Sequence, residues 1–238
     1  MSVPLDIDAR GLAKRFGRTA ALRGVSFSLQ PGERLALFGP NGSGKTTLLK
    51  LLAGLMRPTR GELRVQGTDY KRGANAIRRR IGVVSHHTYL YDDLTAEENL
   101  LFYGRMYGIE ELTRTVDRAL RKVGIEGRRR DKVHTYSRGM QQRLSLARAT
   151  LHDPEILLLD EPDTGLDQEA SRQLSALLER ESGRRRSVVM ATHDLRLGAE
   201  NCDRFLILAG GRVAYEGERG GRSQAELEEL YQSHASAS

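Results

Sequence analysis

The stretch that decides the fold is Gly39-Pro40-Asn41-Gly42-Ser43-Gly44-Lys45-Thr46-Thr47, set between a predicted strand, 33–38, and a predicted helix, 46–55. Its first eight residues match G-x-x-x-x-G-K-[ST], a phosphate-binding loop in the strand-loop-helix context that this pattern requires. Glycines let backbone N–H groups curl around phosphate oxygens, and the helix N-terminus adds its positive dipole end. Lys45 is then suited to reach the β- and γ-phosphates, and the Thr46 hydroxyl to bind Mg²⁺. A chance glycine turn is the alternative, and the agreement of pattern and context argues against it.

The remaining sequence predicts an α/β fold around that loop. Two short apolar runs, 156–159 and 187–191, are typical of buried parallel strands, and strands alternate with helical segments. Before the loop, residues 25–29 alternate strictly between apolar and polar, which favours an N-terminal antiparallel portion. Residues 204–208 and 212–215, joined by Gly210-Gly211, predict a hairpin. We therefore predict one domain over 1–238, with a P-loop NTPase-like parallel sheet core.

A mostly helical segment, 88–151, is predicted to form a lobe inserted into this domain. Thr95 and Glu98 have the spacing of a capping box at the start of a helix. Leu112, Val116 and Leu120 recur at helical spacing further along.

Charged residues follow two of the predicted buried strands. Asp160-Glu161 ends one strand and Thr192-His193-Asp194 ends another, and ligands of open α/β sheets gather at the carboxyl ends of the strands. Asp160 is suited to coordinate Mg²⁺, Glu161 to polarise an attacking water, and His193 to contact a γ-phosphate. The alternatives are an acidic strand end that faces solvent and a structural histidine.

Composition excludes several classes of protein. The chain has 238 residues, no Trp, 5% aromatic residues and one cysteine, Cys202, so an intramolecular disulfide and a multi-cysteine metal site are excluded. The N-terminus lacks the pattern of a signal peptide and no apolar run approaches the length of a membrane span, which predicts a cytoplasmic protein. Net charge is +7, and we interpret the arginine triplets 78–80, 128–130 and 184–186 as solvated surface rather than a nucleic-acid footprint.

As a set, these motifs resemble the ATP-binding subunit of ATP-binding-cassette (ABC) transporters over nearly the whole chain. Besides the phosphate loop and the Asp-Glu pair, residues 136–140 match the signature motif Leu-Ser-Gly-Gly-Gln, and residues 164–167 match the D-loop. The resemblance implies that ATP and Mg²⁺ are bound, that Phe16 stacks on adenine, and that residues 39–47 hold the phosphates. It also implies that Ser137, Gly139 and Asp167 bind nucleotide, and that Lys45, Glu161 and His193 carry hydrolysis.

Two motifs depart from the family pattern. The signature segment has Tyr136, Arg138 and Met140 in place of Leu, Gly and Gln, while Ser137 and Gly139 are kept. The glutamine loop, usually Ile-Gly-Tyr-Val-Pro-Gln, ends here in His86. An imidazole can accept a hydrogen bond from a Mg²⁺-bound water, so we place His86 with Thr46 and Asp160 at the metal site.

The resemblance also implies partners. Two copies, or one copy and a different ATPase, would enclose two ATP molecules, each signature segment facing the other subunit's phosphate loop. A separate membrane permease would be driven by this cycle, and the lobe 88–151 would carry its docking surface. We expect a homodimer, attached peripherally to the inner face of the cell membrane, and no nucleic-acid partner.

Three hypotheses remain open for the process that this ATPase would drive. Residues 86–103 resemble the haem-export ATPase of cytochrome c maturation, in which a histidine replaces the glutamine, and the short C-terminal end fits that subfamily. This is our first expectation. Residues 136–143 also resemble ATPases that export drugs, lipids or polysaccharides. The third hypothesis is a soluble ABC-type ATPase that acts on DNA or ribosomes, and the single cassette argues against it.

Overall fold

The computed structural model describes residues 4–182 and 186–235. The strands in these ranges are β1 (Ile7–Phe16), β2 (Thr19–Leu29), β3 (Arg34–Phe38), β4 (Arg60–Val65), β5 (Thr68–Asp69), β6 (Ile81–Ser85), β7 (Ile156–Asp160), β8 (Ser187–Ala191), β9 (Arg204–Ala209) and β10 (Arg212–Glu218). The helices are α1 (Lys45–Leu52), α2 (Tyr70–Arg80), α3 (Ala96–Tyr107), α4 (Leu112–Lys122), α5 (Arg138–Thr150), α6 (Gln168–Ser182), α7 (Leu195–Asn201) and α8 (Gln224–Ala235).

The central sheet has six strands in the order β10-β9-β3-β8-β7-β6. All neighbours pair in parallel except β10, which forms the predicted antiparallel hairpin with β9. Every residue of β7 and of β8 is buried, as expected for strands covered on both faces. The parallel core predicted from the apolar runs is confirmed.

A second sheet is antiparallel, with the order β2-β1-β4-β5. Its inner face and helix α1 share one hydrophobic core with Leu35 and Leu37 of β3. The alternate residues of β3, Ala36 and Phe38, point into a second core with the later helices. Because side chains alternate along a strand, β3 joins the two cores and fixes the loop that follows it. The predicted α/β fold with an N-terminal antiparallel portion is confirmed.

The chain between β6 and β7 contains α3, α4, two short 3₁₀ turns and α5. Thr95 caps α3: its hydroxyl accepts from the backbone N–H of Glu98 at 3.1 Å, and the Glu98 carboxylate accepts from the Thr95 N–H at 2.8 Å. Arg129 bridges Glu97 at 2.6 Å and Asp117 at 2.7 Å, and so ties the end of this segment to α3 and α4.

Two findings differ from the sequence-based expectations. Helix α2 was not predicted, and only two of its residues, Tyr70 and Ile77, are buried. The solvated-surface interpretation is wrong for Arg129, which bridges two carboxylates, and for Arg186, which is 4% exposed and paired with Asp153. Of the third triplet, residues 184–185 lie outside the described residues. In the described ranges, the structure contains no helix of the length and hydrophobicity that crossing a membrane requires.

Candidate functional site

The loop between β3 and α1 depends on two glycines that no other residue could replace without strain. Gly39 has φ 149°, and a Cβ there would lie 2.3 Å from the Leu208 carbonyl oxygen. Gly44 has φ 108°, and a Cβ there would lie 2.7 Å from the Ala21 carbonyl oxygen. Positive φ is accessible to glycine at little cost, so these residues let the loop press against β2 and β9.

The loop surrounds a depression of about 200 Å³. It is lined by Ala21, residues 41–47 and Glu161. Helix α1 begins at its edge, and no side chain caps the backbone N–H groups of its first turn. Uncapped N–H groups at a helix N-terminus bind anions readily, because they donate hydrogen bonds where the helix dipole is positive. The depression can therefore hold phosphate groups.

Lys45 lies across this loop. Its Nζ donates to the carbonyl oxygens of Gly39 at 2.7 Å and Pro40 at 3.3 Å. Burial lowers the pKa of its ammonium group, and the nearby carboxylates of Glu161 and Asp160 oppose that shift. The ammonium is thus held at the anion-binding loop by neutral acceptors that a phosphate oxygen could replace.

Thr46 and Asp160 meet at the edge of the sheet. The Thr46 hydroxyl donates to Asp160 Oδ1 at 3.2 Å. Burial raises the pKa of the Asp160 carboxyl, and the hydrogen bond from Thr46 opposes the shift. In proteins, Mg²⁺ is commonly held by one or two oxygen side chains, with substrate phosphates and waters completing six ligands. This oxygen pair beside the phosphate loop fits that requirement.

Glu161 follows directly, in a left-handed backbone conformation (φ 49°). Its N–H donates to the Ala191 carbonyl at 2.8 Å, which ties the end of β7 to β8. Its carboxylate accepts from the Thr164 hydroxyl at 3.2 Å and lies 3.9 Å from Nδ1 of His193. A carboxylate that lines the depression and has an imidazole beside it can accept a proton from a water bound there.

His86 follows β6, the strand next to β7. Register pairs Ser85 with Asp160, which brings His86 near that carboxyl, and its charge acts to lower the pKa of Asp160. Its ring packs against His87 with centroids 4.0 Å apart. Within residues 4–182 and 186–235, no three His, Cys, Asp or Glu side chains are grouped so that they could hold a metal ion.

The other residues assigned to nucleotide binding do not line this depression. Phe16 is 47% exposed at the turn between β1 and β2, beneath the Lys14 ammonium, 5.2 Å from the ring centroid. Ser137 caps α5, its hydroxyl accepting from the Met140 N–H at 3.3 Å. Asp167 accepts from the Ala170 N–H at 2.8 Å at the start of α6.

The signature segment and the D-loop instead pack on each other. A Cβ on Gly139 would lie 2.9 Å from the Ala170 Cβ, and a Cβ on Gly165 would lie 2.9 Å from the Arg138 guanidinium. Gly139 is therefore needed for close packing within this chain. No residue of the signature segment lines the depression at the phosphate loop of its own chain.

One acidic residue at this edge was missed by the sequence analysis. Asp163 has a buried Oδ1 with no hydrogen-bond partner in the described part of the chain. Burial raises the pKa of its carboxyl, and the charge of the nearby His193 opposes this shift. The signal was a carboxylate two residues after Glu161, in the run Asp160-Glu-Pro-Asp163.

An aromatic groove, which the sequence analysis also missed, opens between the end of α1, β6, α3 and α5. It encloses about 190 Å³, and its lining includes Leu55, Tyr89, Tyr103, Tyr107, Arg148 and His152. The Arg148 guanidinium lies 5.5 Å from the Tyr89 ring centroid and 5.2 Å from that of Tyr103, and it donates to the Val83 carbonyl at 2.6 Å. Of its lining, Leu55 and Tyr89 are exposed. Tyr91 and Phe102 are exposed as well, and their rings contact that of Tyr103. Met106, on the same helix as Tyr103 and Tyr107, is also exposed.

The comparisons with known proteins agree with this geometry. The family model described as ABC transporter matches residues 22–164. The chain is 39% identical over 213 residues to a Nod factor export ATP-binding protein I of Burkholderia lata, covering 89% of this chain and 70% of that protein. It is 32% identical to the linearmycin resistance ATP-binding protein LnrL of Bacillus subtilis, covering 87% and 67%.

A solved structure is similar throughout. It is the ATP-binding cassette MJ0796, a dimer in a post-hydrolysis state bound to ADP and Pi. The TM-score is 0.83 at 28% identity, covering 91% of this chain and all of that one. The chain belongs to the ABC transporter ATP-binding family, and it is an ATP-hydrolysing enzyme of that family.

Proposed function

We propose that this chain powers export of a drug, lipid or polysaccharide through a separate membrane permease. The observation that carries the ATPase part is the convergence of Lys45, Thr46, Asp160, Glu161 and His193 at one phosphate-binding depression. The export part rests on two relatives that are named for Nod factor export and for linearmycin resistance. Neither is named for haem export, so our first expectation, haem export in cytochrome c maturation, loses support to its alternative.

In the proposed reaction, the phosphates of ATP occupy the depression. Lys45 exchanges its loop carbonyls for the β- and γ-phosphate oxygens, and the uncapped N–H groups of α1 donate to the same phosphates. Glu161 accepts the proton of the attacking water, and His193 contacts the γ-phosphate. Thr46 and Asp160 would hold Mg²⁺, which neutralises phosphate charge, and His86 would reach it through a bound water, since imidazole is a poor direct ligand for this ion.

A second subunit completes each site in this proposal. Ser137, Gly139 and Asp167 lie away from the phosphate loop of their own chain, so they would act on ATP held by the other subunit. The N-terminus of α5 would then present its dipole to the γ-phosphate across the interface. The dimeric state of the cassette MJ0796 supports this arrangement.

The aromatic groove is the surface that we assign to the permease. Met106, which lies in sequence between the lining residues Tyr103 and Tyr107 of α3, is 64% exposed, and the exposed ring of Tyr91 has its centroid 5.1 Å from that of Phe102. An exposed apolar cluster of this kind marks an interaction surface. The chain would thus be attached peripherally to the cytoplasmic face of the cell membrane, the lobe 88–151 providing much of the contact.

Substitution Glu161→Gln tests the catalytic assignment. ATP binding should be retained, because the phosphate loop is unchanged, and turnover should fall at least about 100-fold with the loss of the general base. ATP hydrolysis and dimer formation on ATP addition would be measured together. Glu169→Gln, an exposed glutamate near the start of α6, is the matched control and should leave both unchanged. Normal hydrolysis in Glu161→Gln would remove Glu161 from its role.

Substitution Met106→Glu tests the groove and the substrate class together. The tagged chain would be extracted from its native membrane in mild detergent, and the co-purified proteins identified. Met106→Glu should lose the permease while the isolated chain hydrolyses ATP normally, and Gln173→Glu on α6 should keep both. Recovery of the permease with Met106→Glu would contradict the docking surface. Recovery of multi-spanning cytochrome c maturation proteins with the native chain would restore the haem-export interpretation.

A further inference from the structure

An arginine groove lies along the antiparallel sheet, lined by residues of β1, β2, β4 and β10 and of the turn between β1 and β2. It encloses about 720 Å³, and five arginines line it: Arg15, Arg18, Arg23, Arg60 and Arg212. No residue lines both this groove and the depression at the phosphate loop. The arginine groove is therefore distinct from the phosphate-loop depression, although Arg15 and Arg18 lie close in sequence to Phe16, the residue expected to stack on adenine. Its lining contains none of the assigned catalytic residues and none of the residues assigned to the permease surface.

The sheet register explains why the arginines face one another. Ala13 of β1 pairs with Arg23 on one side and with Arg60 on the other. Residues directly opposite each other in antiparallel strands point to the same face, so these two arginines flank one small side chain. Neighbouring strands lie about 4.8 Å apart, which places the two backbones about 9.6 Å apart across the groove floor.

No carboxylate balances this charge. None of the five arginines has an ion pair within 4.0 Å among residues 4–182 and 186–235, and no Asp or Glu lines the groove. The guanidinium of Arg15 donates to the Arg18 carbonyl at 3.1 Å, and that of Arg212 to the Arg23 carbonyl at 3.3 Å. Backbone carbonyls orient these two side chains without neutralising their charges, so the positive charges of the groove repel one another.

The lining also indicates the kind of ligand. Arginine forks bind phosphate and carboxylate in a bidentate manner, and a phosphate offers more oxygens to several guanidiniums at once. Among the described residues, no aromatic side chain lines the groove, so the Trp and Tyr anchors common at the centre of protein interfaces are missing from it. We infer that the arginine groove binds an anionic phosphate compound, either a free oligophosphate or the phosphate headgroup of a lipid, at a site distinct from the phosphate-loop depression.

Two probes distinguish a free oligophosphate from a lipid headgroup as the ligand of the groove. Inorganic tripolyphosphate would be titrated calorimetrically into the full chain, with the phosphate loop saturated by ADP and free Mg²⁺ held constant. Vesicles of phosphatidylcholine, with and without phosphatidylglycerol, would be used for co-sedimentation. The double substitution Arg23→Gln/Arg60→Gln removes two groove charges. Arg72→Gln/Arg79→Gln removes two exposed α2 charges that have no ion pair in the described part of the chain, and it is the matched control.

Binding of either probe should weaken at least about tenfold in the groove variant, because each lost charge-assisted contact is worth about that factor. The control variant should stay within about twofold, and both variants should hydrolyse ATP at the native rate, which shows that they fold. If only tripolyphosphate binds and its binding depends on the groove arginines, the ligand is a free phosphate compound. If only phosphatidylglycerol vesicles do so, the ligand is a lipid headgroup. No binding of either probe, or an equal loss in the control, would overturn the inference and leave the ATPase proposal untouched.

Discussion

Acidification should destabilise the chain through His152, a wall of the aromatic groove. Its ring stacks on Tyr107, with centroids 3.8 Å apart and planes 4° apart. Burial lowers the pKa of His152 from 6.5 to about 4, and the positive charges of Arg148 and Arg186 act in the same direction. In the unfolded chain the ring takes up a proton as pH falls through 6.5, whereas the folded chain resists protonation until about pH 4. The unfolded state thus binds more protons between these values, so stability is lost as pH falls.

These two pKa values determine the size of the effect. Between pH 7 and pH 5, this single group removes about 2 kcal/mol from the free energy of unfolding. His152→Phe keeps an aromatic ring against Tyr107 and removes the titrating group. Urea unfolding followed by circular dichroism at pH 7, 6 and 5 would give the difference between the native chain and this variant. That difference should shift by about 2 kcal/mol in favour of the variant as pH falls. His134→Phe, at an exposed position, controls for loss of a histidine, and parallel pH curves for the native chain and His152→Phe would refute the reasoning.

Two substitutions test the phosphate loop. Thr46→Val removes the hydroxyl that donates to Asp160; ATP hydrolysis should fall at least about tenfold and require more Mg²⁺, measured as rate against Mg²⁺ concentration. Unaltered Mg²⁺ dependence would contradict the assignment of Thr46. Gly44→Ala introduces a Cβ 2.7 Å from the Ala21 carbonyl oxygen at φ 108°, so nucleotide binding should be lost and the melting temperature should fall. Native-like ATP affinity in Gly44→Ala would show that the loop tolerates a side chain there.

The features that could be predicted from the sequence are those that depend on the pattern of neighbouring residues. The strict alternation before Leu29, the apolar runs of β7 and β8 and the Thr95 capping box each correspond to a finding in the structure. Local pattern failed at α2, because Gly73 interrupts its helical dihedrals and only Tyr70 and Ile77 are buried, which leaves no apolar stripe to recognise.

The surfaces that could not be predicted are built from distant parts of the chain. The aromatic groove joins Leu55, Tyr103 and His152, and the arginine groove joins Arg15, Arg60 and Arg212. Which residues meet in these grooves depends on sheet order and helix packing, and neither can be predicted from a local sequence pattern. The candidate catalytic residues could be predicted from the sequence because each follows the end of a buried strand, and parallel strands end at the same edge of the sheet.

The charge balance at that edge supports the need for a second subunit. Asp160 and Glu161 lie beside Lys45, and Asp163 follows two residues later. Burial raises the pKa of Asp160 and of Asp163, so negative charge is already costly at this edge. ATP brings several more negative charges into the same depression, where the charge of Lys45 alone cannot balance them. Mg²⁺ would supply part of the missing positive charge, and the uncapped N-terminus of α1 another part. The N-terminus of α5, in the signature segment, does not line this depression, so under the proposal its dipole would contribute to ATP held by another subunit. In the proposed dimer, closure of two chains around ATP would balance charge that a single chain cannot, and hydrolysis, which divides that charge between ADP and phosphate, would favour opening.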